Sequence, residues 1–364
     1  MNKKMKLLIF SMVIILMFVT ACSNSTVTNK KATATNQTEK TTREIIDMTG
    51  RKVTIPAKVN KVISLSNNTT VDVFTLAPDK LLGWSFAPKP EAKKFITDKY
   101  FNLPLLGATT EKSDNFENIL KLKPDLIIAS NEDEVYPADN IQKQLKIPVV
   151  VVDTAVDATD KVYTFLGDCL GEEKRAKELA DYSRKVLDNI KELVKKVPAD
   201  KKAKVYYAEG TNWLQTDISG NVHTEVLDFS GGKNVADISE AKVGSMANVS
   251  MEQVMNWNPD VILVGATAMK GDFYSKVYKD TKWGNIKAVK DKNIYMIPSL
   301  PFNWFDRPPS AVRVLGVEWL ANLLYPEYVN IDINKEIKNF YSTFYNYNLT
   351  DDELKDLLKN ATLK

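Results

Sequence analysis

Residues 116–128, Phe-Glu-Asn-Ile-Leu-Lys-Leu-Lys-Pro-Asp-Leu-Ile-Ile, match residues 251–263, Met-Glu-Gln-Val-Met-Asn-Trp-Asn-Pro-Asp-Val-Ile-Leu, in register. This repeat constrains the fold more than any single motif, because one supersecondary unit must be used twice. In each copy a one-faced helix bearing Glu117 or Glu252 is stopped by Pro124 or Pro259, which cannot extend it. Asp125 or Asp260 then opens a buried strand.

The rest of the chain agrees with two similar halves. From Arg43 onward short apolar strands alternate with amphipathic helices, the pattern of an α/β protein with parallel sheets. Residues 62–65, 126–129 and 149–152 are the clearest strands of the first half, and 204–207, 261–264 and 294–297 those of the second. Each is almost continuously apolar, as strands covered on both faces are. Between the halves, Ala176, Leu179, Ala180, Val186, Leu187, Ile190, Leu193, Val194 and Val197 fall on one helical face, and Pro198 ends the run. A helix over 172–197 would be about 40 Å long, a stiff strut that permits rocking rather than a wide swing. The predicted fold class is therefore α/β: two α/β lobes with parallel central sheets, residues 43–170 and 199–364, bridged by one long helix over 171–198.

A chain of 364 residues with 44% apolar and 26% charged residues has room for both lobes. Its first segment reads differently. Lys3, Lys4 and Lys6 precede an apolar run from Leu7 to Val19, the order of an export signal, and the run is short of the roughly 20 residues that span a bilayer. Val19-Thr20-Ala21-Cys22 resembles the lipobox of bacterial lipoproteins, which makes residues 1–21 a signal peptide, Cys22 the lipidated residue and 22–42 a flexible tether rich in Ser, Thr, Asn and Lys. Without the signal lysines the chain is about neutral, which argues against a nucleic-acid partner. Cys22 and Cys169 are the two cysteines, so no disulfide framework can be drawn, and Cys169 is expected to be buried. His223 is the one histidine. Multi-histidine metal cages are excluded, no metal site is predicted, and His223 is expected to cap or pack beside the helix at 224–229.

Several stretches together resemble the solute-binding proteins of iron-siderophore and cobalamin ABC importers, over about Glu44 to Phe344. They are Asp47-Met48-Thr49-Gly50-Arg51 with Val53 to Pro56, Leu81-Leu82-Gly83-Trp84, both Pro-Asp repeats, and Gly231-Gly232-Lys233-Asn234-Val235. The resemblance implies a shallow ligand cleft between two lobes and no catalysis or cofactor. It implies attachment to the outer face of the membrane through the lipid anchor, and delivery to an ABC permease dimer with its ATPase. Glu117 and Glu252 would meet arginines on the two permease subunits.

In open parallel sheets ligands bind beyond the carboxyl ends of the strands. That rule nominates Asn67, Trp84 and Asn131 from the first lobe, and Trp213, Asn303, Trp304 and Arg307 from the second. Arg307 would either grip an anionic ligand or be neutralised by Asp306, and Tyr206 and Tyr207 suit core or cleft equally. The expected ligand is a metal chelate of iron-siderophore, haem or corrinoid type. A molybdate or tungstate-type oxyanion is the alternative, because the Trp304-to-Ser310 loop resembles that of some molybdate-binding members. A secreted hydrolase is the reading from another class; the chain has no Walker loop, G-x-G-x-x-G or G-x-S-x-G elbow to support it.

Overall fold

The computed structural model describes residues 41–107, 115–131, 137–238, 246–265, 268 and 273–363. The signal peptide, Cys22 and nearly all of the tether lie outside the described residues. The strands are β1 (Thr42–Ile46), β2 (Lys52–Pro56), β3 (Val62–Ser64), β4 (Leu126–Ser130), β5 (Val149–Val152), β6 (Lys204–Ala208), β7 (Gln215–Thr216), β8 (Lys233–Asn234), β9 (Ala247–Asn248), β10 (Val261–Val264) and β11 (Ile294–Met296). The helices needed below are α1 (Asn67–Leu76), α2 (Asn115–Leu122), α3 (Thr159–Leu170), α4 (Glu173–Val194), α5 (Met251–Trp257), α6 (Arg313–Leu324) and α7 (Ile333–Tyr345). Among the described residues no helix is long and apolar enough to cross a membrane.

Two parallel sheets with the same order of connection form the frame. In the second half the order is β11-β10-β6-β8, so the chain leaves β6 to one side and returns on the other. In the first half β3, β4 and β5 lie in that order, and Leu81 bridges Val62 on the free side of β3. The Leu81 segment thus matches β8, β3 matches β6, β4 matches β10 and β5 matches β11. The two repeats therefore feed strands at equivalent central positions.

The repeated Pro-Asp pair has the same physical task twice. Lys123 and Asn258 end their helices with positive φ, 51° and 42°, and the proline follows. Asp125 then accepts hydrogen bonds from the backbone N–H groups of Asn60 and Lys61, at 2.8 and 2.9 Å, and Asp260 accepts one from Lys204 at 2.9 Å. Each aspartate fixes the start of the neighbouring strand, β3 or β6, against its own. Asp47 does similar work in the β1–β2 hairpin. Its carboxylate accepts from the N–H groups of Thr49 and Arg51, while Gly50 takes φ of 85° in the turn. Val151 N–H also reaches Asp47, which ties the hairpin to β5.

The bridging helix α4 has 22 residues, about 33 Å, and is shorter than the sequence suggests. It ends at Val194 because the chain tightens there: Lys196 and Val197 donate to Leu193 and Val194, three residues back. Pro198 thus follows the helix by a turn instead of cutting it. A Cβ on Gly167 of α3 would stand 2.2 Å from Ala176 Cβ of α4, so only glycine permits this approach. The C-terminal aromatic cluster packs as expected, with Tyr341 on Phe95 and Phe344 on Tyr163, both residues of the first half. Cys169 is buried as expected, and burial pushes its thiol up to about 12.

Replacing either repeat aspartate, Asp125→Ala or Asp260→Ala, is expected to lower stability by about 1–3 kcal/mol, because backbone N–H groups at a strand start lose their acceptor. Urea unfolding monitored by circular dichroism measures it.

Candidate ligand cleft

At the carboxyl end of β3 the chain turns directly into α1, whose first residues are rich in hydroxyls and amides. Ser66 is extended, with φ of −110°. Its hydroxyl meets Thr69 Oγ1 at 2.9 Å, and Thr70 Oγ1 meets Ser85 Oγ at 2.7 Å. Asn67 heads the helix, and its buried amide oxygen has no partner among the described residues. Asn131, at the end of β4, is held by Asp153 and Thr154, both at 3.0 Å.

The second half presents a charged cluster at the switch point between β6 and β10. Glu209 follows β6 and is fully buried. The Arg307 guanidinium pairs with Glu209 through Nε at 3.1 Å and with Asp217 through Nη2 at 2.7 Å, while Asp306 lies 3.4 Å from Nε. The His223 ring is 3.4 Å from Asp306 and 3.3 Å from Arg307 Nη1. Burial, together with hydrogen bonding to Asp217, pushes the Glu209 carboxyl up, and Arg307 opposes the shift. Burial opposes the charge on Arg307, but Asp306 and Glu209 outweigh it and hold the guanidinium above its usual value. Asp217, His223 and Asp306 bring ligand atoms within 4.8 Å of one another. A cation there would displace the guanidinium, so the geometry is that of an ion-pair network.

Three contacts join these mouths. The buried carboxylate of Asp72 in α1 accepts from Ala311 N–H at 3.0 Å. Arg313 donates to Thr154 O, beyond β5, and to Glu225 at 2.6 Å. Lys89 Nζ reaches Ser299 Oγ at 2.7 Å. The carboxyl ends of both sheets therefore face a shared cleft.

The sequence-predicted residues divide. Asn67 and Asn131 stand beyond strand ends of the first half and Arg307 beyond those of the second. Trp84 and Trp304 do not line the cleft, which corrects the expectation. Trp84 is 1% exposed with its indole donating to Tyr100 O at 2.9 Å, and Trp304 is 0% exposed against Trp319. Trp304 is drawn inward because α6 presses on its loop: a Cβ on Gly316 would stand 1.8 Å from Trp304 O. Phe302 packs among Phe74, Trp84 and Phe86 of the first half. Asn303 is also buried, its Oδ1 accepting from Phe305 and Asp306 N–H groups, so it braces the loop. Trp213 is half-buried against Phe273 and Trp283. Tyr206 and Tyr207 are core residues, and Tyr207 donates to Asp306 at 2.8 Å. The sequence reading took in Glu209 only as the first residue of a candidate loop, Glu209 to Trp213, without singling it out, and missed Asp217. It gave His223 a packing role, whereas the ring belongs to the charged cluster. A charged residue just after a buried strand at a switch point was the available signal for Glu209; Asp217 offered none.

The model of the periplasmic binding protein family matches residues 62–301. The chain belongs to that family. Among its relatives, molybdate-binding protein MolA of Haemophilus influenzae is 29% identical, over 83% of this chain and 91% of that protein. Iron(3+)-hydroxamate-binding protein YxeB of Bacillus subtilis is 26% identical, over 81% of this chain and 89% of that protein. The solved ABC transporter solute binding protein of Sulfurospirillum deleyianum is 30% identical, with a TM-score of 0.79, covering 86% of this chain and 98% of its own. A periplasmic binding protein captures solute for a transporter and performs no catalysis, so the charged cluster is an ion-pair network and not an active site.

Burial pushes Asp72 up to about 7, with the Ala311 N–H and Arg313 acting in the opposite direction. The folded value exceeds the unfolded 3.8, so the protonated group's contribution is complete below about pH 4 and is lost as pH rises through about 7. Thermal unfolding midpoints are expected to fall across that window, and Asp72→Asn is expected to flatten the profile in scanning calorimetry.

Proposed function

We propose that the protein is the extracytoplasmic capture component of an ABC importer and that its cargo is a metal chelate or a metal oxyanion. One observation supports this above others: two like sheets present their switch points to a common cleft tied at Asp72, Arg313 and Lys89, so a solute there is touched by both halves. In the first reading the cargo is a chelate of the iron-siderophore, haem or corrinoid type, as the hydroxamate-binding relative suggests. A second reading, a molybdate or tungstate-type oxyanion, is favoured by a specific observation. The rings that would floor a broad chelate site, Trp84 and Trp304, are buried, while the head of α1 offers hydroxyls and a helix terminus suited to a compact anion. The molybdate-binding relative points the same way.

Residues 1–21 would direct export, Cys22 would carry the lipid that holds the protein on the outer membrane face of the cell, and 22–42 would tether it. Glu117 on α2 and Glu252 on α5 are both exposed, at equivalent places on the two halves. Glu252's own backbone N–H and the Ser250 hydroxyl hold its carboxyl below the usual range, so it is ionised for docking. These two carboxylates would orient the protein on a pseudo-symmetric permease dimer, and charge pairs of this type weaken with salt.

The cargo is tested by titrating the purified protein with ferric hydroxamate and with molybdate, following tryptophan fluorescence and heat. Binding of the chelate alone supports the first reading and of the oxyanion alone the second; binding of neither, with no metal chelate or metal oxyanion co-purifying in native mass spectrometry, overturns both. For docking, Glu117→Ala with Glu252→Ala is expected to bind cargo normally yet fail to support uptake, with each single variant intermediate. Full uptake by the double variant removes the docking role.

A further inference from the structure

Away from the cleft, α4, α6 and α7 border a cavity of about 420 Å³ that is open to solvent on one side. Its lining is unusual for a junction of packed helices. Glu318 projects into it from α6, a helix buried almost all round, and is itself only 4% exposed. Its Oε2 has no hydrogen-bond partner among the described residues, and the same holds for the buried hydroxyl of Tyr182 on α4. The Tyr182 ring is held at 6.0 Å from Phe340 and 5.4 Å from Phe344, so the hydroxyl is fixed in place. Lys185 of α4 and Lys335 and Glu336 of α7 complete the charged lining. None of Glu318, Glu336, Lys185 and Lys335 forms an ion pair with a described residue; Glu336 accepts only from the Asn339 amide, at 3.2 Å.

A buried carboxyl with an unmet oxygen costs free energy in an empty site, and an apolar side chain would fill the same place on α6 without that cost. The chemistry of a complementary occupant follows from the four charges. A simple cation would meet two ammonium groups, and a simple anion would meet two carboxyl groups. A molecule carrying one group of each sign satisfies both sets. We propose that this cavity is a second small-molecule site, for a zwitterionic amino acid whose ammonium group is held by Glu318, Glu336 and the Tyr182 hydroxyl and whose carboxylate is held by Lys185 and Lys335. The site lies on the bridging helix and is separate from the cleft residues described above.

The titration of Glu318 supplies an independent readout. Burial pushes its carboxyl up to about 8, Glu336 adding to the effect and the Lys185 ammonium opposing it. The other groups facing it are the Lys335 ammonium and the Tyr182 hydroxyl, whose own ionisation burial raises out of range. An incoming ammonium group therefore ionises Glu318, and a proton is released on binding at neutral pH.

The test uses the full chain and three probes in calorimetry: L-glutamine as zwitterion, putrescine as cation and succinate as anion. Glutamine is expected to bind, with a heat that changes with buffer ionisation enthalpy in the sense of proton release, and the other two are not. Glu318→Gln keeps shape and packing, and should weaken glutamine binding by about tenfold or more and abolish the proton release. Lys335→Ala, at an exposed position that tolerates change, should weaken it as well without altering the thermal midpoint. Failure of glutamine and of shorter and longer amino acids to bind, preference for putrescine or succinate, or unchanged binding by both variants overturns the proposal.

Discussion

One buried guanidinium holds the two halves in a single frame. Arg313 is 2% exposed at the start of α6, and its donors are divided between Thr154 O of the first half and Glu225 of the second. The same Glu225 oxygen accepts Val156 N–H at 2.9 Å, so the carboxylate is shared between the guanidinium and the far strand's exit loop. A buried charge of this type is tolerated only when its counter-charge and hydrogen bonds are complete, and removing one member strands the others. Residues 306–311 and the head of α1 are thereby fixed relative to each other, with Asp72 closing the same junction through Ala311. The stiff α4 strut adds a second constraint at the back. Between clasp and strut, rocking is the motion the frame permits, and the width of the cleft is set mainly by side chains.

What was legible in the sequence was what repeats locally. The Pro-Asp pairs announced two equivalent strands because each copy carries its helix stop, its strand opener and its buried run within a short stretch. The aspartates at 125 and 260 then proved to clamp the adjacent strand as well, a role visible only once β3 and β6 are in place. The site was legible in outline, through the rule that ligands sit beyond strand ends, but its depth was not. Trp84 and Trp304 lie in irregular segments with no period to assign a face, and their burial depends on Tyr100, Gly316 and Trp319, distant in sequence. The Arg307 network is likewise assembled from partners 84 to 98 residues away, so adjacent Asp306 was linked to Arg307 while Glu209, Asp217 and His223 were not.

That network determines how the cleft can treat a charged solute. The Arg307 donors are directed to Glu209, Asp217 and His223, and a free anion would have to compete with carboxyl groups already in contact. Glu209, Asp217 and Asp306 surround the one guanidinium, so this wall of the cleft does not attract negative charge by itself. The opposite wall does the reverse, because the head of α1 supplies hydroxyls and the positive end of a helix. The cleft is therefore polarised across its width. Asp72 sits at the junction of the two walls, where it accepts Ala311 N–H, and burial pushes its carboxyl up to about 7, which weakens its opposition to an anion at the α1 end.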